Sequence, residues 1–241
     1  MSARGQRSAS QKPKAQSPLV KYYVVLYNTV LFFGWSYVLV RLAQFFLDGH
    51  HVGTTQGVPL WSYLRDPLLL FQSAALLEIV HAITGVVRSP LMTTLMQVAS
   101  RLLLTWGIAN IAPIAQNHYF LASMVAAWGI TEIIRYSYYA FNTLNGHAPY
   151  FLLWLRYTLF YVLYPLGVAS EIGLIIVSLS WVRETDVFSF HMPNKWNFAF
   201  DYHTVLIIAI LSYLPGFPTL FMHMVTQRKK CLGTPAPTKK H

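Results

Sequence analysis

Residues 150–181 read YFLLWLRYTLFYVLYPLGVASEIGLIIVSLSW, an apolar run long enough to cross a bilayer, for which a helix needs about 20 residues. At 32 residues it is too long for a straight crossing. It is expected to tilt, to kink at Pro165, or to begin in the headgroup layer. Within it lies Leu163-Tyr164-Pro165-Leu166-Gly167-Val168-Ala169-Ser170-Glu171. A carboxylate inside a membrane span is costly and marks a functional candidate. Tyr164 and Glu171 stand two helical turns apart, so both side chains share a face, roughly 10 Å apart along an ideal axis. Pro165 and Gly167 loosen the helix between them and can shorten that distance. A phenol and a carboxyl on one face inside lipid fit acid/base chemistry on a lipid-like substrate. A structural Tyr, with a Glu paired to an Arg elsewhere in the bundle, fits the same residues.

The rest of the chain has the same character. It is 55% hydrophobic and 11% charged, against about 25% charged in a soluble domain. Further apolar stretches cover 22–47, 67–87, 91–111, 119–141 and 202–225. The expectation is an all-α polytopic membrane protein, a bundle of six transmembrane helices over 21–227 with no soluble domain. No repeat of fixed period is visible. The net charge of +10 collects at the ends. Arg4, Arg7, Lys12, Lys14 and Lys21 precede the first stretch, and Arg228, Lys229, Lys230, Lys239 and Lys240 follow the last. This places the charge in tails rather than on a nucleic-acid surface. Positive segments stay cytosolic, and two cytosolic termini require an even number of spans. The connection 48–60 has no Lys or Arg and is expected to be luminal; the Arg88-Ser89-Pro90 turn is expected to be cytosolic. Residues 1–20 read as a disordered basic tail, too long and polar for a cleavable signal, and 228–241 as a second basic tail. Lys239 and Lys240 resemble a dilysine retrieval signal, one residue out of register. Cys231 is the only cysteine. That rules out an internal disulfide or a thiolate cluster and leaves acylation or an idle thiol.

Polar side chains recur inside the spans. Glu78 and His81 share the second, Gln97 and Arg101 the third. Glu132, Arg135, Tyr136 and Tyr139 crowd the fourth, and Arg156, Tyr157, Tyr161, Tyr164 and Glu171 the fifth. Alternating helix directions put most of these at similar depth, which implies one shared cavity. Unpaired charges there cost several kcal/mol each, so Glu78, Glu132 and Glu171 are expected to pair with Arg101, Arg135 or Arg156. The competing reading is an inert ion network that fixes helix register. Glu78 and His81 have the spacing used in di-metal bundles, but the motif occurs once and lacks its further glutamates. The other histidines considered, His50, His51, His118 and His191, lie at span ends or in loops, so a metal site is not expected.

His81-Ala82-Ile83-Thr84-Gly85-Val86-Val87-Arg88-Ser89 has the spacing of a tyrosine-phosphatase loop. That chemistry needs a cysteine thiolate. Position 82 is alanine and Cys231 is remote, so phosphatase activity is excluded at this loop.

A phosphatase-like loop without its nucleophile, in a chain read as six spans, resembles the protein-tyrosine-phosphatase-like family. Its members are very-long-chain (3R)-3-hydroxyacyl-CoA dehydratases of the endoplasmic reticulum. The resemblance covers about 22–230. Four blocks carry it: Leu77 to His81; Gln97 to Arg101; Trp128 through Glu132, Arg135 and Tyr136; and Leu155-Arg156-Tyr157 through Tyr164-Pro165-Leu166-Gly167 to Glu171. Many relatives carry cysteine after the loop histidine, where this chain has Ala82.

The resemblance implies loss of water from a (3R)-3-hydroxyacyl-CoA to give a trans-2-enoyl-CoA, a carbon–oxygen lyase step of fatty-acid elongation that needs no cofactor. It implies Tyr164 and Glu171 as the catalytic pair, and Glu78, Gln97, Arg101, Arg135 and Gly167 as further members of the active region. Glu132 and Arg156 join the supporting set through the polar clustering. Glu171 as base at C2, with Tyr164 handling the hydroxyl, is the favoured assignment; the reverse is open. The arginines would neutralise Glu78 and Glu132 or polarise the thioester. The acyl tail would lie in the bundle or towards lipid, with CoA at the cytosolic mouth near Arg88. Expected partners are the condensing enzyme and reductases of the elongation cycle. A non-catalytic scaffold in an elongation or trafficking complex is the alternative, which needs neither Tyr164 nor Glu171.

Overall fold

The computed structural model describes residues 17–54, 57–87, 89–193, 195 and 197–233. The expected N-terminal tail, apart from its last few residues, lies outside them, as do Arg88, Lys239 and Lys240. The described residues are helical apart from connections and one isolated bridge between Phe190 and Phe200.

Helix α1 (Pro18–Leu47) opens on Ser17, whose side chain accepts from the Val20 N–H at 3.4 Å, with Pro18 in the first turn. Both are favourable at a helix start. Helices α2 (Leu60–Ala74) and α3 (Leu76–Ile83) follow almost without interruption. The expected start at residue 67 is therefore too late. Leu60, Trp61, Leu64 and Leu68 form a buried stripe at helical spacing, and Pro67 is accommodated inside it. After α4 (Leu91–Leu104) the backbone widens into a π-helical turn over Thr105–Ala109. The Thr105 hydroxyl donates back to the Arg101 carbonyl at 2.7 Å there. A Cβ on Gly107 would collide with the Tyr202 hydroxyl, so glycine permits this close approach.

The short α5 (Pro113–Gln116) leads to α6 (Tyr119–Asn145), which ends on Gly146 in the left-handed conformation, φ 79°. The long segment 150–181 divides into α7 (Tyr150–Thr158) and α8 (Phe160–Thr185). The break falls at Leu159, ahead of Pro165, which stays within α8. Helix α9 (Tyr202–Leu232) is capped by Asp201, which accepts from the N–H groups of His203 and Thr204, each at 3.2 Å. It runs several residues past the expected end at 225.

Helix α6 is the centre of the bundle, packed most extensively on α1 and α8. One apolar core joins Trp35, Val38 and Phe45 of α1, Leu60 and Leu64 of α2, Leu121, Met124 and Trp128 of α6, and Leu174 and Val182 of α8. Burial is concentrated at the end that holds 53, 60, 107, 117 and 202, where Gly53 and Leu60 bond to Asn117 and Tyr202 to Gly107. At the other end the helices are more open. The buried residues of α9 are Tyr202 and Leu206 alone, and that of α3 is His81.

Among the described residues, four stretches are long and apolar enough to cross a membrane: Pro18–Leu47, Leu60–Ile83, Phe160–Thr185 and Tyr202–Leu232. Helix α4 is shorter, and α6, though 27 residues long, carries many of the polar groups of the site.

Candidate active site

Helix α8 presents Tyr164 and Glu171, and its seam with α6 includes small side chains. Gly167 is buried there, with the Ala127 methyl 3.8 Å from where a Cβ would stand. The Ser170 and Ser123 hydroxyls meet at 2.7 Å. This close seam brings the Trp128 indole to Glu171. Its Nε1–H donates to Oε1 at 2.7 Å. From α9 the Tyr213 hydroxyl donates to Oε2 at 2.6 Å. Among the described residues no arginine or lysine forms an ion pair with Glu171. The expected Glu171–arginine pair is therefore absent; both its partners are neutral donors.

Arg101 and Arg135 serve Glu78 and Glu132. Arg135 grips Glu78 through two bonds, Nη1 to Oε2 at 2.9 Å and Nη2 to Oε1 at 2.6 Å. Its Nε donates to Glu132 Oε2 at 2.7 Å, while Arg101 pairs with Glu132 Oε1. The Tyr136 hydroxyl donates to Glu78 Oε1 at 2.6 Å. Glu132 is 1% exposed, so it depends on these two cations. A lone buried carboxylate would be costly, and two charge-assisted bonds offset that. The network joins the Glu171 site through one ring: the Arg101 guanidinium lies over Trp128, 5.0 Å from its centroid. Polar groups from α3, α4, α6, α8 and α9 thus form a single connected cluster.

Tyr164 belongs to this region in a different way. Its ring stacks on Phe217 of α9, with centroids 5.2 Å apart and planes at 5°, and more loosely on Phe221. It is half-buried, and its hydroxyl has no hydrogen-bond partner among the described residues. It lies on the face of α8 that bears Glu171. Tyr161, one turn earlier, is exposed and stacks on Phe160.

Two expected members stand apart. The Gln97 side chain is exposed on α4 and makes no hydrogen bond among the described residues. Arg156 lies over the rings of Tyr138, Tyr139 and Tyr157 and donates to the Tyr139 hydroxyl at 3.0 Å. It pairs with no acid among the described residues, contrary to the expected role. Glu78 and His81 also part company. His81 is buried against α1, 2.8 Å from the Tyr23 hydroxyl and edge-on to Tyr27, so it ties α3 to α1. Tyr213 was missed as a site residue, and Trp128 was noticed only as part of a motif. The available signal was that each is a hydrogen-bond donor inside an apolar span, where such a group needs an acceptor.

Residues 72–234 match the family described as Protein tyrosine phosphatase-like protein, PTPLA. The chain is 43% identical over 217 residues to the very-long-chain (3R)-3-hydroxyacyl-CoA dehydratase PASTICCINO 2B of Oryza sativa subsp. japonica, covering 90% of this chain and 96% of the relative. It is 45% identical over 217 residues to the dehydratase hpo-8 of Caenorhabditis elegans, covering 89% and 96%. With dehydratase 2 of Homo sapiens the identity is 42% over 225 residues, covering 92% and 85%. No solved structure matches the chain.

Proposed function

The chain belongs to the protein tyrosine phosphatase-like family, and from that premise we propose that it removes water from a very-long-chain (3R)-3-hydroxyacyl-CoA to give the trans-2-enoyl-CoA. The observation that carries the assignment to residues is the contrast among three carboxylates. Glu78 and Glu132 are held in ion pairs, whereas Glu171 is met only by neutral donors. A carboxylate locked to guanidinium is a poor base, and Glu171 is the one free of that lock.

In this reading Glu171 takes the proton from C2. The C–H electrons form the C2=C3 double bond, and the C3–O bond breaks. Tyr164, whose hydroxyl is unengaged, gives its proton to the departing hydroxide, which leaves as water. Transfer of the proton from Glu171 to the Tyr164 phenolate restores the site. Gly167 lies in the α6–α8 seam beside Ala127, and Arg101 and Arg135 neutralise Glu78 and Glu132. Arg156, and Gln97 on the exposed face of α4, remain candidates for contact with the acyl-CoA, because neither is consumed by the ion network. A scaffold would need neither an uncompensated carboxylate nor an unengaged phenol inside the bundle.

The membrane arrangement follows the same reading. With α4 and α6 added to the four long apolar stretches, the chain crosses the bilayer six times over 21–227, with both basic ends in the cytosol. The endoplasmic reticulum is the proposed membrane, and the condensing enzyme and reductases of the elongation cycle are the proposed partners. The decisive experiment is incubation of the purified full-length chain with a single long-chain (3R)-3-hydroxyacyl-CoA and no added cofactor. Formation of the 2-enoyl-CoA supports the proposal, and failure of a folded, monodisperse preparation to form it would refute it.

A further inference from the structure

We propose that Tyr213 of α9 is a positioning residue for the dehydration: together with Trp128 it fixes the plane and direction of the Glu171 carboxylate. The inference rests on the reading of Glu171 as base.

A carboxylate at the end of a Glu side chain rotates easily, because its terminal torsion is broad. One hydrogen bond leaves that rotation free. Here the two oxygens are held separately, Oε1 by Trp128 of α6 at 2.7 Å and Oε2 by Tyr213 of α9 at 2.6 Å. Two fixed donors on two oxygens determine the plane of the group. Each oxygen can accept more than one bond, so capacity remains to receive a proton. The indole is itself held by the Arg101 guanidinium above its ring, which ties the clamp to the ion network.

The surroundings of Tyr213 indicate that this bond is not simply an anchor for α9. Over residues 207–219 the helix carries three hydroxyl side chains. Ser212 returns its hydroxyl to the Ala209 carbonyl at 2.6 Å and Thr219 to the Pro215 carbonyl at 2.8 Å. Tyr213 alone reaches another helix. Its neighbours Leu211 and Leu214 are exposed. The attachment of α9 has its own device near the start of the helix, where the Tyr202 hydroxyl donates to the Gly107 carbonyl at 2.8 Å.

The test compares Tyr213→Phe with Tyr202→Phe and Glu171→Gln in the purified full-length chain, with kcat, KM and melting temperature measured for each. A misplacement of about 1 Å in a reacting group costs roughly 100-fold. Tyr213→Phe should therefore lower kcat by about 10- to 100-fold with KM and melting temperature close to those of the parent. Tyr202→Phe removes the same atom from the same helix and should lower the melting temperature while kcat holds. Turnover of Tyr213→Phe equal to the parent, or a loss matched by Tyr202→Phe, would overturn the inference. If Tyr213→Phe does not accumulate, Trp128→Phe reads the clamp from the other side. A loss confined to kcat is expected, and an unchanged kcat overturns the inference. Retained turnover in Glu171→Gln would overturn the base assignment and this inference together. An inactive Glu171→Gln beside a fully active Tyr213→Phe would overturn the inference alone.

Discussion

Tyr213 meets Glu171 at 2.6 Å across a separation of 42 positions in the chain. It is the contact by which the last helix reaches the polar cluster. The Phe217 and Phe221 rings of the same helix cover Tyr164. Both members of the proposed catalytic pair on α8 are thus framed by α9.

Glu171→Gln is expected to abolish dehydration while the protein still folds and inserts. Glutamine keeps the size of the side chain and can still accept from one donor, but it cannot take a proton. Loss of a general base commonly costs about 100- to 10,000-fold. The measurement is turnover at matched protein level, with near-normal activity sinking the assignment.

Tyr164→Phe should lose most activity, whereas Tyr161→Phe should not. Tyr164 shares the face of Glu171, since seven residues at about 100° each return nearly to the starting direction. Tyr161 is turned away by about 60° by the same arithmetic, and it is exposed. Each substitution removes one oxygen and leaves the ring stacking in place. Equal, mild losses in both would deprive the Tyr164 hydroxyl of its role.

Glu132→Ala should be strongly destabilising. It leaves Arg101 and Arg135 facing each other without the carboxylate between them, and breaking a buried pair typically costs about 3–5 kcal/mol. Arg156→Ala, which breaks contacts with tyrosine rings and no ion pair, should melt close to the parent. Thermal unfolding in detergent distinguishes the two; similar melting temperatures would show that the network is not required for stability.

Tags at either end should be removed by protease added to sealed microsomes. The motive is the cluster of Lys and Arg at each end and their absence from 48–60, since positive segments stay cytosolic. Protection of one tag alone would require an odd number of crossings, and protection of both would reverse the orientation.

The sequence made the helices legible where apolar residues run on, and obscured them where they alternate with polar ones. Helix α2 begins at Leu60 because Leu60, Leu64 and Leu68 line one buried stripe. Between them Ser62, Arg65 and Asp66 are exposed and lower the average hydropathy. Pro165 was the visible candidate for a break in 150–181, yet the interruption is at Leu159, which has no distinctive residue type. Tyr164 and Glu171 could be singled out because ionisable groups are conspicuous in lipid. Their partners could not. Sign complementarity offers any of three arginines to any of three acids, and only the packing assigns two of each to one network. It also leaves Arg156 among tyrosines. Tyr213 was hidden because a single tyrosine in an apolar span carries no charge to attract notice.

The unengaged Tyr164 hydroxyl and the uncompensated Glu171 carboxylate have a consequence for proton traffic. Elimination of water consumes no proton and releases none. The proton abstracted at C2 is matched by the one that departs with the hydroxyl. In the proposed mechanism, with Glu171 as acceptor and Tyr164 as donor on one face of α8, the inventory closes within the pair after each cycle. Such a site needs an exit for the product water but no proton conduit to bulk solvent, and its turnover leaves the pH of either compartment untouched. This is how acid/base chemistry can operate among apolar helices.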